Sequence, residues 1–273
     1  MSFTIADRIR GSSSQVFSSI TYRMEYTGGI PMKKAIIVVS FGTTHPDAEA
    51  SCIRPVERAL AAAFPDREIC RAWTSRIIIR RLAARGETVE NEAEALERLR
   101  REGCGDIRFV PTHMIRGREY QRVVAAAEGL PVSAPLLDTD EDLEWMAGLL
   151  DGIAAAEGRT LLVMGHGTDH AADATYQRLR GMLSGRVQLA CVEGRYGLDG
   201  IMDALEAVPG KALTLMPLML VAGDHARNDL AGDAPDSWKS RLLARGFDVR
   251  LRLTGLGALE PVQQRFVGKA REC

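Results

Sequence analysis

From Lys33 onward, short runs of bulky apolar residues alternate with longer stretches in which apolar positions recur every three or four residues. The runs fall at 35–40, 68–73, 106–112, 160–165, 187–192, 212–218 and 248–253, and several are apolar at nearly every position. A strand covered on only one face alternates apolar and polar residues, so an unbroken run predicts a strand covered on both. The intervening segments 48–64, 77–84, 89–101, 120–128, 140–156, 172–183, 199–207 and 237–244 carry helical spacing and good helix formers. Strand and helix in strict alternation predict parallel strands joined by crossover helices.

The pattern also repeats. IIVVSFGTTHPDA resembles LLVMGHGTDHAADA, and IRFVPTHMIRGREY resembles LTLMPLMLVAGDHARND. The expected fold class is therefore α/β, with two similar lobes, each a parallel sheet flanked by helices, spanning 33–135 and 136–273. Two such lobes leave a cleft between strand ends, where ligand sites are common, and the active site is expected there. Aligning the first pair on Gly-Thr sets His166 opposite Phe41, and aligning the second on Pro111 and Pro217 sets His225 opposite Glu119. Residues 1–32 differ from the rest of the chain: Ser-rich, without sustained period, and closing on Gly-Gly and a Pro, they read as a flexible extension or as the result of a start codon placed upstream of Met32.

Composition narrows the partners. Lys and Arg total 35 against 36 Asp and Glu, a net charge of −1, which offers nothing to a long polyanion, so no nucleic acid is expected. No run approaches the roughly 18 apolar residues of a membrane span, and the N-terminus lacks a signal-peptide core. Cys52, Cys70, Cys104, Cys191 and Cys273 are scattered without a CxxC pair and read as reduced thiols. A cytoplasmic protein that binds no membrane is expected, and the pattern leaves open whether it is a homo-oligomer. Neither a Rossmann fingerprint nor a phosphate-cradling GxxxxGK[ST] loop occurs, so no nucleotide is expected.

His166 and His225 each follow an apolar strand within a glycine-containing loop, GHGTD and AGDHARND. Between them a third strand, VQLACV, ends at Glu193. Two imidazoles and a carboxylate from three strand ends would make an open site for a divalent first-row metal that is held and then released. One such histidine alone serves equally well as a helix cap, and the trio tips the balance toward metal. Gly165 and Gly167 are expected to leave room for a ligand to approach His166. His45 reads as part of the turn before a helix, and His113 and His170 flank the expected cleft without a nameable partner. The Met-rich LMPLMLVAG reads first as strand and core.

Arg76, Arg80, Arg81 and Arg85 lie on one helix, mostly as a solvated face, with Arg76 closest to a strand end and suited to grip a carboxylate with two parallel bonds. Arg116, Arg118, Glu119 and Tyr120 open a further helix, whose free N–H groups attract anions. A phosphohydrolase would also use strand-end histidines, but its Arg-His-Gly signature is absent, since Gly165 precedes His166.

SFGTTHPDA, WTSRIIIRRL, PTHMIRGREY, GHGT, VEG and PLMLVAGDHARNDLAGD, in that order across most of 33–265, resemble the anaerobic sirohydrochlorin cobaltochelatases of cobalamin biosynthesis. The resemblance implies a two-lobed fold shared with the haem ferrochelatases. It implies insertion of Co(II), a substrate metal, into sirohydrochlorin without ATP. It also implies that His166, Glu193 and His225 bind the metal and carry the chemistry. Phe41 with Met219 or Leu220 would then face the macrocycle. The substrate's peripheral carboxylates would meet Arg54, Arg76 or Arg116, the segment around Gly42 and Thr43, and the helix start at Glu119. Chelation of iron or nickel in a sirohaem or related pathway, and non-catalytic carriage of a tetrapyrrole or metal, are the alternatives.

Overall fold

The computed structural model describes residues 32–273; apart from Met32, the extension expected over 1–32 lies outside the described residues. The first sheet holds β1 (Lys33–Ser40), β2 (Glu68–Trp73) and β3 (Cys104–Pro111) in the order β2-β1-β3. The second holds β4 (Thr160–Gly165), β5 (Val187–Cys191), β6 (Ala212–Pro217) and β7 (Asp248–Leu251) in the order β5-β4-β6-β7. Every pairing is parallel. All seven expected strands are present, which confirms the α/β class with two helix-flanked parallel sheets.

The unbroken apolar runs follow from double coverage. In β1, Ile36 and Val38 point into one buried cluster while Ala35, Ile37 and Val39 point into another. In β4, Leu161 and Val163 join the same cluster as Ile36, whereas Leu162 and Met164 enter a third. The two sheets thus share a middle layer of apolar side chains and each keeps an outer one. The middle layer also takes Val56 and Leu60 of α2 (Arg54–Ala63), Leu143 and Met146 of α6 (Asp140–Glu157), and Val262 and Phe266 of α10 (Glu260–Arg271).

The remaining helices are α1 (Pro46–Ala48), α3 (Arg76–Ala83), α4 (Glu92–Arg101), α5 (Arg118–Ala126), α7 (Ala174–Met182), α8 (Met202–Glu206) and α9 (Trp238–Ala244). Two departures from the sequence pattern have clear causes. The segment expected as one helix over 48–64 contains a π-turn at Glu49–Ile53. Pro55 has no N–H and its ring crowds the carbonyl four residues back, so the chain widens there. The helix expected from residue 89 starts at Glu92 because Asn91 caps it, its side chain accepting from the Ala93 and Glu94 amides while Glu94 reaches back to the Asn91 amide.

Helix α10 went unpredicted, although Pro261 at its start and Val262, Phe266 and Ala270 at helical spacing mark it. It packs on α2 and β3, so the chain's last helix returns to the first sheet. Asp142 ties it down. This fully buried carboxylate accepts from the Asp138 and Thr139 amides and binds Lys269 at 2.7 Å and Arg265 at 2.6 Å. Burial alone would raise its pKa, but these donors overcome the burial and hold it at about 2. A carboxylate depressed in the fold lends stability that is full above its unfolded value and fades as pH falls through the folded one. The melting temperature is therefore expected to drop between about pH 4 and about pH 2, with roughly 2 kcal/mol from this group. Asp142→Asn should flatten that part of the acid limb, and an unchanged slope would assign the loss elsewhere. Among the described residues no helix is long and apolar enough to cross a membrane.

Candidate functional site

The carboxyl ends of β4, β5 and β6 bring the expected residues together. His166 directly follows β4, and its carbonyl accepts from the Glu193 amide at 2.8 Å. One residue back, the Val192 amide donates to Gly165 at 3.0 Å. The loops after β4 and β5 therefore lie flush against each other, and the glycines serve that contact. Gly167 has φ +78°, and a Cβ there would stand 1.9 Å from the Glu193 carbonyl oxygen. A Cβ on Gly165 would meet Tyr176 and the Cys191 sulfur at 3.0 Å. The expectation that these glycines open a path for a ligand is corrected: Gly167 lets two backbones touch, and Gly165 makes room for the Tyr176 and Cys191 side chains.

The imidazoles of His166 and His225 meet edge to face, centroids 4.8 Å apart and planes at 88°. Nδ1 of His225 lies 2.7 Å from an Asp229 carboxylate oxygen, and Nδ1 of His166 lies 2.9 Å from the Gly167 carbonyl. An acceptor at Nδ1 assigns the proton to that nitrogen and leaves the Nε2 lone pair free in each ring. The carboxylate also fixes the orientation of the His225 ring. Asp229 was missed from sequence, though its spacing four residues after His225 in HARND puts both on one helical face.

Glu193 is more exposed, and its Oε2 lies 3.9 Å from His166 Nδ1. The carboxylate thus stands on the protonated side of that ring and not beside the free lone pair. Among the described residues no group of three or more His, Cys, Asp and Glu side chains closes around one point. Two adjacent imidazoles with an exposed carboxylate nearby form an open site.

The other candidates separate. Phe41 is half exposed at the end of β1. Gly42, at φ +97°, abuts the Trp73 ring, and buried Thr43 accepts from the His45 amide at 3.2 Å. Met219 is half-buried against the outer layer of the second sheet, whereas Leu220 is buried in the middle layer and offers little surface to a ligand. Arg54 donates to Glu49, Arg76 makes a two-pronged pair with buried Glu92 at 2.7 and 2.9 Å, and Arg116 makes another with Asp138. The forks of Arg76 and Arg116 are thus already occupied by carboxylates, whereas Arg54 engages Glu49 through Nε alone and is largely exposed. Glu119 accepts from Arg122. Arg80 and Arg85 donate to the backbone carbonyls of Arg76 and Thr44 and meet no carboxylate among the described residues.

His170 caps the short turn after it, its Nδ1 accepting from Ala172, and Asp169 pairs with Arg118 of α5. His113 has both ring nitrogens buried without a partner among the described residues, and burial pushes its pKa down to about 4, so it is neutral at pH 7. His45 precedes α1 but makes no side-chain cap; its Nε2 lies 2.6 Å from Asp224, next to His225.

The repeat extends to backbone bonds. Thr74 donates to Ser40 and Ser75 to Phe41, just as Val192 donates to Gly165 and Glu193 to His166. Phe41 and Ser75 hold the first-sheet positions that correspond to His166 and Glu193.

The family model for cobalt chelatase (CbiK) matches residues 34–273. A sirohydrochlorin cobaltochelatase of Salmonella typhimurium is 37% identical over 249 residues, covering 86% of this chain and 94% of that protein. The sirohydrochlorin cobaltochelatase CbiKC of Nitratidesulfovibrio vulgaris is 34% identical over 233 residues, covering 80% and 82%. A solved structure of an uncharacterized protein from Actinobacillus succinogenes covers 88% of this chain and 89% of its own, at 12% identity and a TM-score of 0.40.

Proposed function

The chain belongs to the cobalt chelatase (CbiK) family, and from that premise we propose that His166 and His225 hold the Co(II) that it inserts into sirohydrochlorin. The observation that carries the assignment is the pair of rings 4.8 Å apart, each with Nδ1 committed to an acceptor. Neutral imidazole suits a first-row divalent ion, and an unfinished ligand set lets the ion leave. A closed cage would retain its metal.

Insertion exchanges one Co(II) for two pyrrolic N–H protons, so the site needs a base as well as a donor pair. Glu193, exposed and beside His166, suits the role of accepting a proton and passing it to water, and its charge offsets that of the metal. Rotation of its side chain would make it a third ligand. Phe41 and Met219 supply apolar surface for the ring, and buried Leu220 adds little. Arg76 and Arg116 reach a substrate carboxylate only by exchanging one carboxylate for another, whereas Arg54 keeps its terminal nitrogens for one. Arg80 and Arg85 require no such exchange, and the Gly42–Thr43 segment and Glu119 border the same end of the first sheet.

The reaction proceeds without a nucleotide and belongs to anaerobic cobalamin synthesis. It can be tested by following sirohydrochlorin absorbance with Co(II), Fe(II) or Ni(II) and no ATP. Multiple turnovers fastest with Co(II) are expected; a faster rate with another ion would reassign the metal, and stoichiometric binding without turnover would make the protein a carrier.

Asp229 sets the tautomer and orientation of His225, and removal of such a partner typically weakens metal binding about 10–100-fold. Asp229→Ala is expected to raise the Co(II) Kd within that range, read from the visible absorption of the bound ion. An unchanged Kd would show that His225 needs no partner.

A further inference from the structure

The two imidazoles are held by different means. His166 extends a strand and is fixed by backbone bonds to the neighbouring loop. His225 follows a short loop after β6 and precedes a π-turn at Ala226–Leu230, and no sheet bond holds its own peptide groups. Side chains from the first half of the chain grip its neighbours instead. His45 Nε2 lies 2.6 Å from one Asp224 oxygen and Arg81 lies 4.0 Å from the other. Beyond His225, Arg227 donates to Asp47 at 2.5 Å, and this bond holds the Asp47 carboxyl below the usual range.

We propose that His45 and Asp47 are positioning residues for the reaction: from the turn that leaves β1 they hold Asp224 and Arg227, on either side of His225, and so set the approach of its imidazole to His166. The inference rests on the reading of His166 and His225 as the cobalt-binding pair. His45 stands where a helix cap belongs yet makes no cap, so its side chain is free for the contact with Asp224. Pro46 fixes the first φ of α1, which limits how far His45 and Asp47 can shift relative to each other. The first half of the chain thereby takes part in holding the metal without contributing a ligand.

All four side chains are partly or largely exposed, and exposed ion pairs contribute little to stability. Their loss should therefore move cobalt binding and leave the fold in place, which separates positioning from a structural role. In the full chain, His45→Ala, Asp47→Ala, Arg227→Ala and the Asp47→Ala/Arg227→Ala double variant are compared by Co(II) Kd, by KM for Co(II) and for sirohydrochlorin, and by melting temperature. His45→Ala and Asp47→Ala are each expected to raise the Co(II) Kd and KM roughly tenfold, the low end for a metal ligand's supporting groups. The KM for sirohydrochlorin and the melting temperature should stay at wild-type values. His45→Gln, which can still donate to Asp224, should recover most of the loss. The double variant should bind no more weakly than Asp47→Ala, because one contact cannot be lost twice.

Wild-type Co(II) affinity in His45→Ala and Asp47→Ala, or strictly additive losses in the double variant, would overturn the proposal. His225→Ala is the control. If it loses cobalt while the positioning variants do not, the inference fails and the site stands; if it binds cobalt normally, the site itself fails. Should Asp47→Ala melt early, Asp47→Asn, which preserves size and removes the charge, carries the same comparison.

Discussion

His166→Ala is expected to abolish cobalt insertion while leaving the fold intact, and His225→Ala to do the same. Each removes one of two imidazoles that meet at 4.8 Å. Loss of a group that merely supports a metal ligand costs about 10–100-fold, so loss of the ligand itself should exceed about 100-fold in the rate of metallation. Neither ring is buried: the side chains are 44% and 38% exposed, so no large cavity opens and the melting temperature should hardly move. The absorbance change of sirohydrochlorin on adding Co(II) reads the outcome. Wild-type metallation by both folded variants would remove these histidines from the reaction.

Gly167→Ala should damage both fold and site. The residue sits at φ +78°, where a side chain is strained, and its Cβ would lie 1.9 Å from the Glu193 carbonyl oxygen. Left-handed strain costs about 1–3 kcal/mol and overpacking about as much again, so a loss of roughly 2–6 kcal/mol is expected. Relief requires the loops after β4 and β5 to part, which separates His166 from Glu193. A lower melting temperature and slower insertion should appear together. Gly181→Ala is the contrast, since a Cβ there meets nothing within 4 Å. If both alanines behave like wild type, the close approach of the two loops is not required.

The strands were legible because double coverage writes itself as unbroken apolar runs, and the paired histidines were legible because each follows such a run beside glycine. Helix α10 was harder to see: its apolar positions are separated by Gln263, Gln264, Arg265, Gly268 and Lys269, and its role depends on Asp142, far back in the chain. The partners of the site were hidden for the same reason. Asp229 lay within reach of a helical-spacing argument, but nothing local links His45 to Asp224 or Asp47 to Arg227, which meet only when the two halves fold together. The arginines misled in the opposite way. Arg76 has the charge and placement to hold a substrate carboxylate, yet its fork is filled by Glu92, an acid that a sequence reading assigns to solvent.

The matched backbone bonds at the two sheet ends carry a further consequence. Peptide groups pair without regard to side chains, so one pattern of strand ends holds Phe41 and Ser75 in the first half and His166 and Glu193 in the second. Ser75 is buried and caps α3 through its hydroxyl, which accepts from the Ile78 amide, but half-exposed Phe41 is free to vary without disturbing strand register, and variation there would alter the surface of the first half while the histidines of the second stay put. Selectivity among macrocycles and capacity to hold the ion can then diverge independently within a single chain, the first tuned in one half and the second preserved in the other.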